Sequence, residues 1–213
     1  AYPISPNTGV ISALSDMVSK KELDAEFVNV EGEHSAASVC AGAVSAGSRA
    51  FTATCGQGMA YMHEVLWMAS GMALPFVIAV TNRGIGAPQT LAADYSDSLS
   101  ERDSSIIQFY TEDAQEVLDS VLIAYRICEH ADVLLPGFVC LEGYRLTHTY
   151  EDVEIPDQAL VDKFLPKYQP KHAFFDPKYP ILQGAGNLRY YSYMKYEQHK
   201  AMLRAKEILP SVY

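Results

Sequence analysis

Three polar side chains of this 213-residue chain follow apolar runs, at points where turns or helices begin. Ser5 comes after a short run at the start of the chain. Glu33 comes after the β-prone residues 27–30, and Arg83 comes after residues 74–80, the most hydrophobic stretch. A carboxylate held at such a junction can act as a fixed hydrogen-bond acceptor, and a guanidinium presents a planar fork that suits a carboxylate ligand. These residue types predict a small-molecule site if the fold brings them together.

Each charged side chain also has a simpler interpretation. At the start of a helix, Glu33 would complement the positive end of the helix dipole. Arg83 would form an ion pair with an acid of the polar loop that follows it. The candidate acids are Asp94, Asp97 and Glu101. Both interpretations are purely structural and need no ligand.

The spacing of the apolar residues predicts alternating strands and helices. The predicted strands cover residues 27–30, 49–54, 74–80, 106–110 and 133–141. The predicted helices cover residues 10–18, 35–46, 59–71, 113–130 and 190–208. This alternation is typical of an α/β domain with an open, mostly parallel sheet and helices on both faces. The carboxyl ends of parallel strands share one edge, so polar residues at three strand ends predict a ligand site there.

Two loops complete the predicted edge. Residues 55–58 contain two glycines but lack the spacing and the lysine of a phosphate-binding P-loop, so we interpret them as a turn. Residues 85–103 are polar and irregular, and loops of that length inside a compact domain are usually functional. The helix between these loops has a predicted core face that consists of Met62, Val65, Leu66 and Met68.

The composition excludes several classes of function. The formal net charge is −10, which argues against a nucleic-acid-binding face or a basic membrane-binding patch. We expect neither a signal peptide nor a membrane span. The four cysteines form no CxxC pair, so we expect no iron–sulfur or zinc site held by this chain alone. Their apolar surroundings indicate buried, reduced thiols of an intracellular, cytoplasmic protein.

The chain is predicted to divide near residue 148. Residues 1–148 carry the alternating pattern, and we expect an upstream strand before them because the first residues look like the end of one. From residue 149, prolines and aromatic residues replace the periodicity. This predicts that residues 149–213 form an extended arm, lying across another surface, and a final helix with exposed aromatic residues.

Several short motifs, in a fixed order, carry a resemblance to a known family. They are Tyr-Pro-Ile-Ser-Pro at residues 2–6, Val-Glu-Gly-Glu-His-Ser-Ala at 30–36, Phe-Thr-Ala-Thr at 51–54 with Gln-Gly at 57–58, Met-His-Glu at 62–64, Asn-Arg at 82–83 with Ala-Pro at 87–88, Asp-Ser at 97–98, Glu-Arg-Asp at 101–103 and Ile-Pro-Asp at 155–157. Together they resemble the α subunit of the 2-oxoacid:ferredoxin oxidoreductases, the family of pyruvate:ferredoxin oxidoreductase. The resemblance covers nearly the whole chain.

The resemblance implies a thiamine-diphosphate enzyme whose α subunit carries the pyrimidine-binding module and, beyond residue 213, a further domain. It implies that the cofactor is shared with a partner subunit, and that Mg²⁺ and 4Fe–4S clusters lie on partner subunits. The implied reaction converts a 2-oxoacid, with pyruvate as the first candidate, and coenzyme A to an acyl-coenzyme A and carbon dioxide. Electrons then pass to ferredoxin or another acceptor.

The resemblance also assigns roles to single residues. Glu33 matches the glutamate that binds the N1′ nitrogen of the aminopyrimidine, where proton movement lets the exocyclic amine remove the thiazolium proton. Glu31 is the competing candidate, but it falls on the strand side of the motif. A charge-assisted bond from a buried carboxylate to the ring is the chemistry that this role requires.

Four further residues receive roles in the same way. Arg83 matches the arginine that binds the substrate carboxylate. Ser5 stands where the family usually has threonine, and it keeps a hydroxyl that could bind the substrate. Pro3 and Gln57 match positions beside the cofactor, and none of these residues is expected to bind a metal.

Departures from the family pattern keep other substrates and functions open. The pyruvate enzymes tend to carry tryptophan in the segments that match residues 91–93 and 104–106, and here both segments are small or aliphatic. Smaller residues would admit a bulkier 2-oxoacid such as phenylglyoxylate or a branched-chain acid. Alternatives of another class are a non-catalytic scaffold subunit and a flavodoxin-like binding domain. We interpret three histidines as structural residues: His34, His63 and His148.

Overall fold

A computed structural model describes residues 1–171, 175–178 and 189–213 of the chain. Within these residues the centre of the fold is a four-stranded sheet in which every pairing is parallel. The strands are β1 (Phe51–Thr54), β2 (Val77–Asn82), β3 (Ile107–Tyr110) and β4 (Gly137–Glu142). They lie side by side in the order β1-β2-β4-β3. The predicted open parallel sheet is confirmed.

Helices surround this sheet. They are α1 (Thr8–Ser19), α2 (Glu33–Ser45), α3 (Gly56–Gly71), α4 (Ser96–Leu99), α5 (Ala114–Cys128), α6 (Arg145–His148), α7 (Gln158–Phe164) and α8 (Tyr191–Ile208), with a 3-10 turn at Leu209–Ser211. Helix α5 begins where the side chain of Asp113 accepts a hydrogen bond from the main-chain N–H of Glu116 at 2.8 Å. Such a cap binds one of the N–H groups that lack a partner inside the helix.

The two faces of the sheet bury different helices. Alternate residues of the central strands point to opposite faces, so Ile78 and Phe138 lie on one face and Val77 and Val139 on the other. The first pair packs against α2 and α3, and the second against α5 and α8. Helix α1 reaches the second face through Ile11. Helices on both faces were predicted, and the two core clusters confirm them.

Residues 27–30 do not form the predicted strand. The segment is extended, but its hydrogen bonds run from Ala1 N to Val28 O and from Val30 N to Ala1 O, the latter at 3.2 Å. It therefore pairs with the first residue of the chain and adds no strand to the sheet. Val28 is 42 % exposed. β-propensity fails here because it reflects packing against neighbouring strands, which this segment lacks.

Two smaller predictions near α3 are also wrong. Residues 56–58 belong to the first turn of α3 rather than to a loop. Met68 is 44 % exposed and is not part of the core face, which contains Met62, Val65 and Leu66. The buried stripe continues at Ala69, which lies three positions after Leu66 and four after Val65, whereas Met68 has this spacing to Val65 alone.

The predicted arm contains a helix, α7, and part of it packs on this chain itself. Glu154 N donates to Gln115 Oε1 at 2.7 Å, and Glu151 Oε2 accepts from Ala114 N at 2.9 Å, so residues 151–154 follow α5. Phe164 packs against the α5 side of the core. Residues 172–174 and 179–188 of the predicted arm lie outside the described residues. The final helix exposes aromatic side chains, as predicted: Tyr191, Tyr193 and Tyr196.

All four cysteines are buried and free, as the sequence indicated. None of the described helices has the length and hydropathy needed to cross a bilayer. The described residues contain no group of three or more histidine, cysteine or acidic side chains that could hold a metal ion.

Candidate functional site

The predicted site residues lie at the carboxyl edge of the sheet, where β1 and β2 end. Only Cys55 separates the end of β1 at Thr54 from the start of α3 at Gly56. Arg83 follows directly after the last residue of β2. Gly56 has a φ of +49°, a conformation that side chains rarely allow, so the abrupt passage from β1 into α3 depends on glycine.

The guanidinium of Arg83 is buried, and its hydrogen-bond acceptors among the described residues are neutral oxygen atoms. Nη1 donates to the carbonyl of Ser5, and Nη2 donates to Gln57 Oε1 at 2.9 Å. The residue is 5 % exposed, and within the described part of the chain its Nε has no hydrogen-bond partner. A buried cation without a counter-charge costs several kcal/mol. This position therefore suits an anionic ligand.

The structural alternative for Arg83, an ion pair with a loop acid, is not formed among the described residues. The acids considered were Asp94, Asp97 and Glu101. Asp97 Oδ2 accepts a hydrogen bond from the main-chain N–H of Arg83 at 3.1 Å, and it does not contact the guanidinium. Glu101 accepts from His63 Nδ1 at 2.7 Å, and Asp94 accepts from the N–H of Ser96. The positive charge of Arg83 thus remains available.

Glu33 is the first residue of α2 and is 8 % exposed. Gly32 before it is in an extended conformation, which turns the chain into the helix. No hydrogen bond or ion pair binds the Glu33 carboxylate within the residues that the structure describes. The position is consistent with the helix-dipole interpretation, but that interaction leaves both carboxylate oxygens without a donor. A buried carboxylate of this kind suits a ligand that donates a hydrogen bond.

Glu31, the competing acid, lies in a different environment. It is exposed, and its Oε1 accepts a hydrogen bond from Ser35 Oγ at 2.6 Å. That bond lowers the pKa of Glu31 below its ordinary value, because it stabilises the charged form. An exposed, already bonded carboxylate cannot make the buried contact that a ring nitrogen requires. The geometry favours Glu33.

The first turn of α3 connects Glu33 and Arg83. A methyl group placed on Gly56 would lie 2.7 Å from Arg83 Nε, and one placed on Gly58 would lie 2.6 Å from Glu33 Oε1. Gln57, between them, binds Arg83 Nη2. Three successive residues therefore touch both charged groups, and the two glycines allow the approach. The sequence interpretation of Gly56 and Gly58 as turn glycines missed this role.

Ser5 reaches the site through its main chain. Its carbonyl accepts hydrogen bonds from Arg83 Nη1 and from Cys55 Sγ, the latter at 3.1 Å. Burial raises the pKa of Cys55 to about 11, so the thiol stays protonated and can donate. Ser5 and Pro3 are both exposed on the N-terminal loop, at the rim of the site.

The three histidines have partners outside this cluster. His63 binds Glu101, whose pKa is raised mainly by burial. His34 Nε2 lies 3.7 Å from Glu64 Oε2, and His148 Nδ1 lies 3.1 Å from the carbonyl of Tyr144. These contacts agree with a structural role.

The two segments that suggested a larger substrate pocket lie in different places. Leu91 is exposed, in the loop that follows Arg83. Ser104 is buried, and its carbonyl accepts a hydrogen bond from Ser70 Oγ near the end of α3. Ile106 belongs to the core cluster on the α2 and α3 side. Ser104 and Ile106 therefore lie in the buried interior of the domain.

Comparison with known proteins identifies the family. The family model described as "Pyruvate flavodoxin/ferredoxin oxidoreductase, thiamine diP-bdg" matches residues 1–213. The chain belongs to this family. Members of the pyruvate flavodoxin/ferredoxin oxidoreductase family share a thiamine-diphosphate-binding domain, so the resemblance stated from the motifs is confirmed.

Curated relatives within this oxidoreductase family match the chain over its full length. Pyruvate synthase subunit PorA from Methanocaldococcus jannaschii is 51 % identical over 213 residues, and PorA from Pyrococcus furiosus is 49 % identical over 214 residues. Ketoisovalerate oxidoreductase subunit VorA from Pyrococcus horikoshii is 41 % identical over 214 residues. Each match covers 100 % of this chain but only 54–55 % of the relative. The chain therefore spans about half the length of these relatives.

A solved structure shares the fold. It is the 2-oxoglutarate:ferredoxin oxidoreductase from Magnetococcus marinus with 2-oxoglutarate, coenzyme A and succinyl-CoA bound. The TM-score is 0.73 at 21 % sequence identity, and the match covers 100 % of this chain and 41 % of that chain. At this identity the likeness supports the α/β fold alone.

Proposed function

We propose that this chain is the pyrimidine-binding part of a thiamine-diphosphate-dependent oxidoreductase that converts pyruvate and coenzyme A to acetyl-coenzyme A and carbon dioxide. Residues 1–148 form the pyrimidine-binding module, and residues 149–213 connect it to the rest of the protein. One observation carries the proposal. Two buried groups of opposite charge, Glu33 and Arg83, flank the first turn of α3, and each lacks a charged partner among the described residues.

The donor and acceptor atoms at this edge fit the aminopyrimidine half of the cofactor. Glu33 offers a buried acceptor for a ring N–H, and the nearby Thr54 Oγ1 is buried without a partner in the described residues. Gly58 packs directly against both residues, since a methyl group there would lie 2.5 Å from Thr54 Oγ1 and 2.6 Å from Glu33 Oε1. Bound thiamine diphosphate supplies the electron sink that decarboxylation of a 2-oxoacid requires.

Each candidate site residue then has a specific role. Glu33 accepts the hydrogen bond at N1′ and holds the proton there during cofactor activation. Arg83 binds the carboxylate of the 2-oxoacid, Ser5 offers its hydroxyl at the rim, and Gln57 holds the guanidinium in place. Pro3 lies on the same loop and contributes to the cofactor surface. A non-catalytic scaffold subunit would need neither the buried carboxylate of Glu33 nor the buried guanidinium of Arg83.

Pyruvate is supported by the relatives. The PorA proteins are 49–51 % identical to this chain and the VorA protein is 41 % identical. A branched-chain 2-oxoacid is the second candidate, because the VorA relatives are named for ketoisovalerate. Steady-state assays of the purified complex with both acids and a redox dye decide between them.

The proposal also requires partners. Partner subunits supply the diphosphate and Mg²⁺ site, carry 4Fe–4S clusters, and pass electrons to ferredoxin or another acceptor. The four cysteines of this chain are buried and form no CxxC pair, so they are not expected to bind iron–sulfur clusters. The protein is proposed to act in the cytoplasm, free of nucleic acid and membrane.

Replacing Arg83 by lysine is expected to raise the Michaelis constant for the 2-oxoacid by about 10- to 100-fold. Lysine keeps the charge but loses the fork, and a hydrogen bond to a charged group is worth about 1.5–3 kcal/mol. Steady-state kinetics of the complex measure the constant, and thiamine diphosphate affinity should change much less.

Arg102→Lys is the matched control for Arg83→Lys. Arg102 is exposed and pairs with Asp103 at 3.7 Å, so its replacement should leave both constants unchanged. An unaltered Michaelis constant in Arg83→Lys would refute the assignment of the acid-binding residue.

The isolated chain is expected to bind thiamine diphosphate weakly and without dependence on Mg²⁺, and to be inactive. The described residues provide an acceptor for the pyrimidine but no cluster of metal ligands for the diphosphate. Calorimetry on the isolated chain and on the full complex, with and without Mg²⁺, measures the difference. Tight, Mg²⁺-dependent binding to a folded, isolated chain would contradict the shared-site proposal.

A further inference from the structure

Asp97 occupies an unusual position at the start of α4. It is fully buried, with 0 % of the residue exposed, although it carries a carboxylate and comes from a largely exposed polar loop. Buried carboxylates are rare unless other groups bind them. Its partners include residues of the candidate site.

Four hydrogen-bond donors surround this carboxylate. Oδ2 accepts from the main-chain N–H of Gly56 at 2.8 Å and from that of Arg83 at 3.1 Å. Oδ1 accepts from Asn82 Nδ2 at 2.7 Å and from the main-chain N–H of Ser98 at 2.8 Å. Both oxygens are thus used twice, which matches the capacity of an ionised carboxylate.

The two bonds to Oδ2 join the elements that bear the substrate-side groups. Gly56 begins α3 and directly precedes Gln57, whose side chain binds Arg83 Nη2. The other bond holds the main chain of Arg83 itself. One oxygen atom therefore sets the distance between the base of the guanidinium side chain and the helix that orients its tip.

Asn82 reinforces this arrangement from β2. Its Nδ2 also donates to Ser98 Oγ at 2.8 Å, so the last residue of the strand is bound to two successive residues of α4. Gly143 N donates to Asn82 O at 2.9 Å from the end of β4. The residue before Arg83 is thereby held on both sides.

We propose that Asp97 is a positioning residue that sets the Arg83 guanidinium for the carboxylate of the 2-oxoacid. It acts through the main chain of Gly56 and Arg83 and touches neither substrate nor cofactor. This inference rests on the proposed function, since it takes Arg83 to be the acid-binding residue. It gives the loop before α4 a specific role in substrate affinity.

Asp97→Asn tests the proposal in the full complex. Whichever way the asparagine amide turns, its NH₂ group faces two N–H donors, so two of the four bonds around residue 97 are lost and the guanidinium of Arg83 is held less firmly. We expect the Michaelis constant for the 2-oxoacid to rise about ten-fold or more, with a much smaller change in thiamine diphosphate affinity. Asp103→Asn, an exposed acid six residues later, is the control and should behave as the wild type.

A double-mutant cycle separates positioning from general loss of stability. If Asp97 acts through the fork of Arg83, adding Asp97→Asn to Arg83→Lys should raise the Michaelis constant little further. Full additivity of the two effects, or an unchanged constant in Asp97→Asn, would overturn the proposal. If Arg83→Lys alone leaves the constant unchanged, the proposed function has failed instead.

Asn82→Ala keeps the test decisive if Asp97→Asn does not assemble with its partners. This variant removes the donor at 2.7 Å from Oδ1 but leaves the carboxylate and both bonds to Oδ2 in place. We expect a smaller rise in the Michaelis constant, again absent in the Arg83→Lys background. A rise that persists undiminished in that background would contradict the proposal.

Discussion

Glu33→Gln is expected to slow activation of thiamine diphosphate by about 10²–10⁴-fold while the complex stays assembled. Glutamine preserves the shape of the side chain but cannot hold the proton that the ring nitrogen must share. Glu33 is buried, at 8 % exposure, whereas the competing acid, Glu31, is exposed and bonded to Ser35. The measurement is exchange of the thiazolium C2 proton in the assembled, cofactor-loaded complex.

Glu31→Gln is a matched control for this prediction. It makes the same chemical change two residues earlier, at an exposed carboxylate that binds Ser35. We expect wild-type exchange in this variant and unchanged cofactor affinity. Wild-type exchange in Glu33→Gln, or a loss confined to Glu31→Gln, would remove Glu33 from the catalytic role.

The architecture of the sheet was predictable because its central strands, β2 and β4, are buried on both faces. Continuous apolar runs such as residues 74–80 are typical of central parallel strands, and β2 is buried along its whole length. Residues 27–30 have similar residue types, yet they remain outside the sheet. Whether such a segment joins the sheet depends on the strand that is available to pair with it, and the apolar pattern alone does not indicate that strand.

The strand predicted from residue 133 begins later in the structure, at Gly137. β4 starts at Gly137, directly after Pro136, whose nitrogen cannot donate to the ladder. The predicted strand began four residues too early because apolar character was weighed above hydrogen-bonding capacity. Leu134 has a positive φ of 48°, which also lies outside a strand conformation.

The charged members of the candidate site were predictable, and the residues that hold them were not. Glu33 and Arg83 were found from residue type and from family motifs. Asp97 was considered only as an ion-pair partner of Arg83, whereas it binds main-chain N–H groups from two elements. Hydrogen bonds to main-chain N–H groups cannot be predicted from residue spacing, because nearly every residue type supplies such a group.

Gly58→Ala is expected to reduce activity about 100-fold, although it adds one methyl group to a helix. That methyl would lie 2.6 Å from Glu33 Oε1, 2.7 Å from Glu33 Cγ and 2.5 Å from Thr54 Oγ1, all far inside contact distance. The Glu33 side chain is the most flexible of these neighbours, so it should move by about 1 Å, a misplacement that costs about 10²-fold. Exchange of the C2 proton and steady-state rates of the complex measure the effect.

Gly71→Ala distinguishes this displacement from a general effect of alanine in α3. Gly71 is the last residue of the same helix, and a methyl group there would meet nothing within 4 Å, so activity should be unchanged. If Gly58→Ala acts by displacing the carboxylate, it should add little to the loss already caused by Glu33→Gln. A Gly58→Ala complex that exchanges its C2 proton at the wild-type rate would show that Glu33 tolerates displacement, and the close approach of α3 to α2 would then serve packing rather than catalysis.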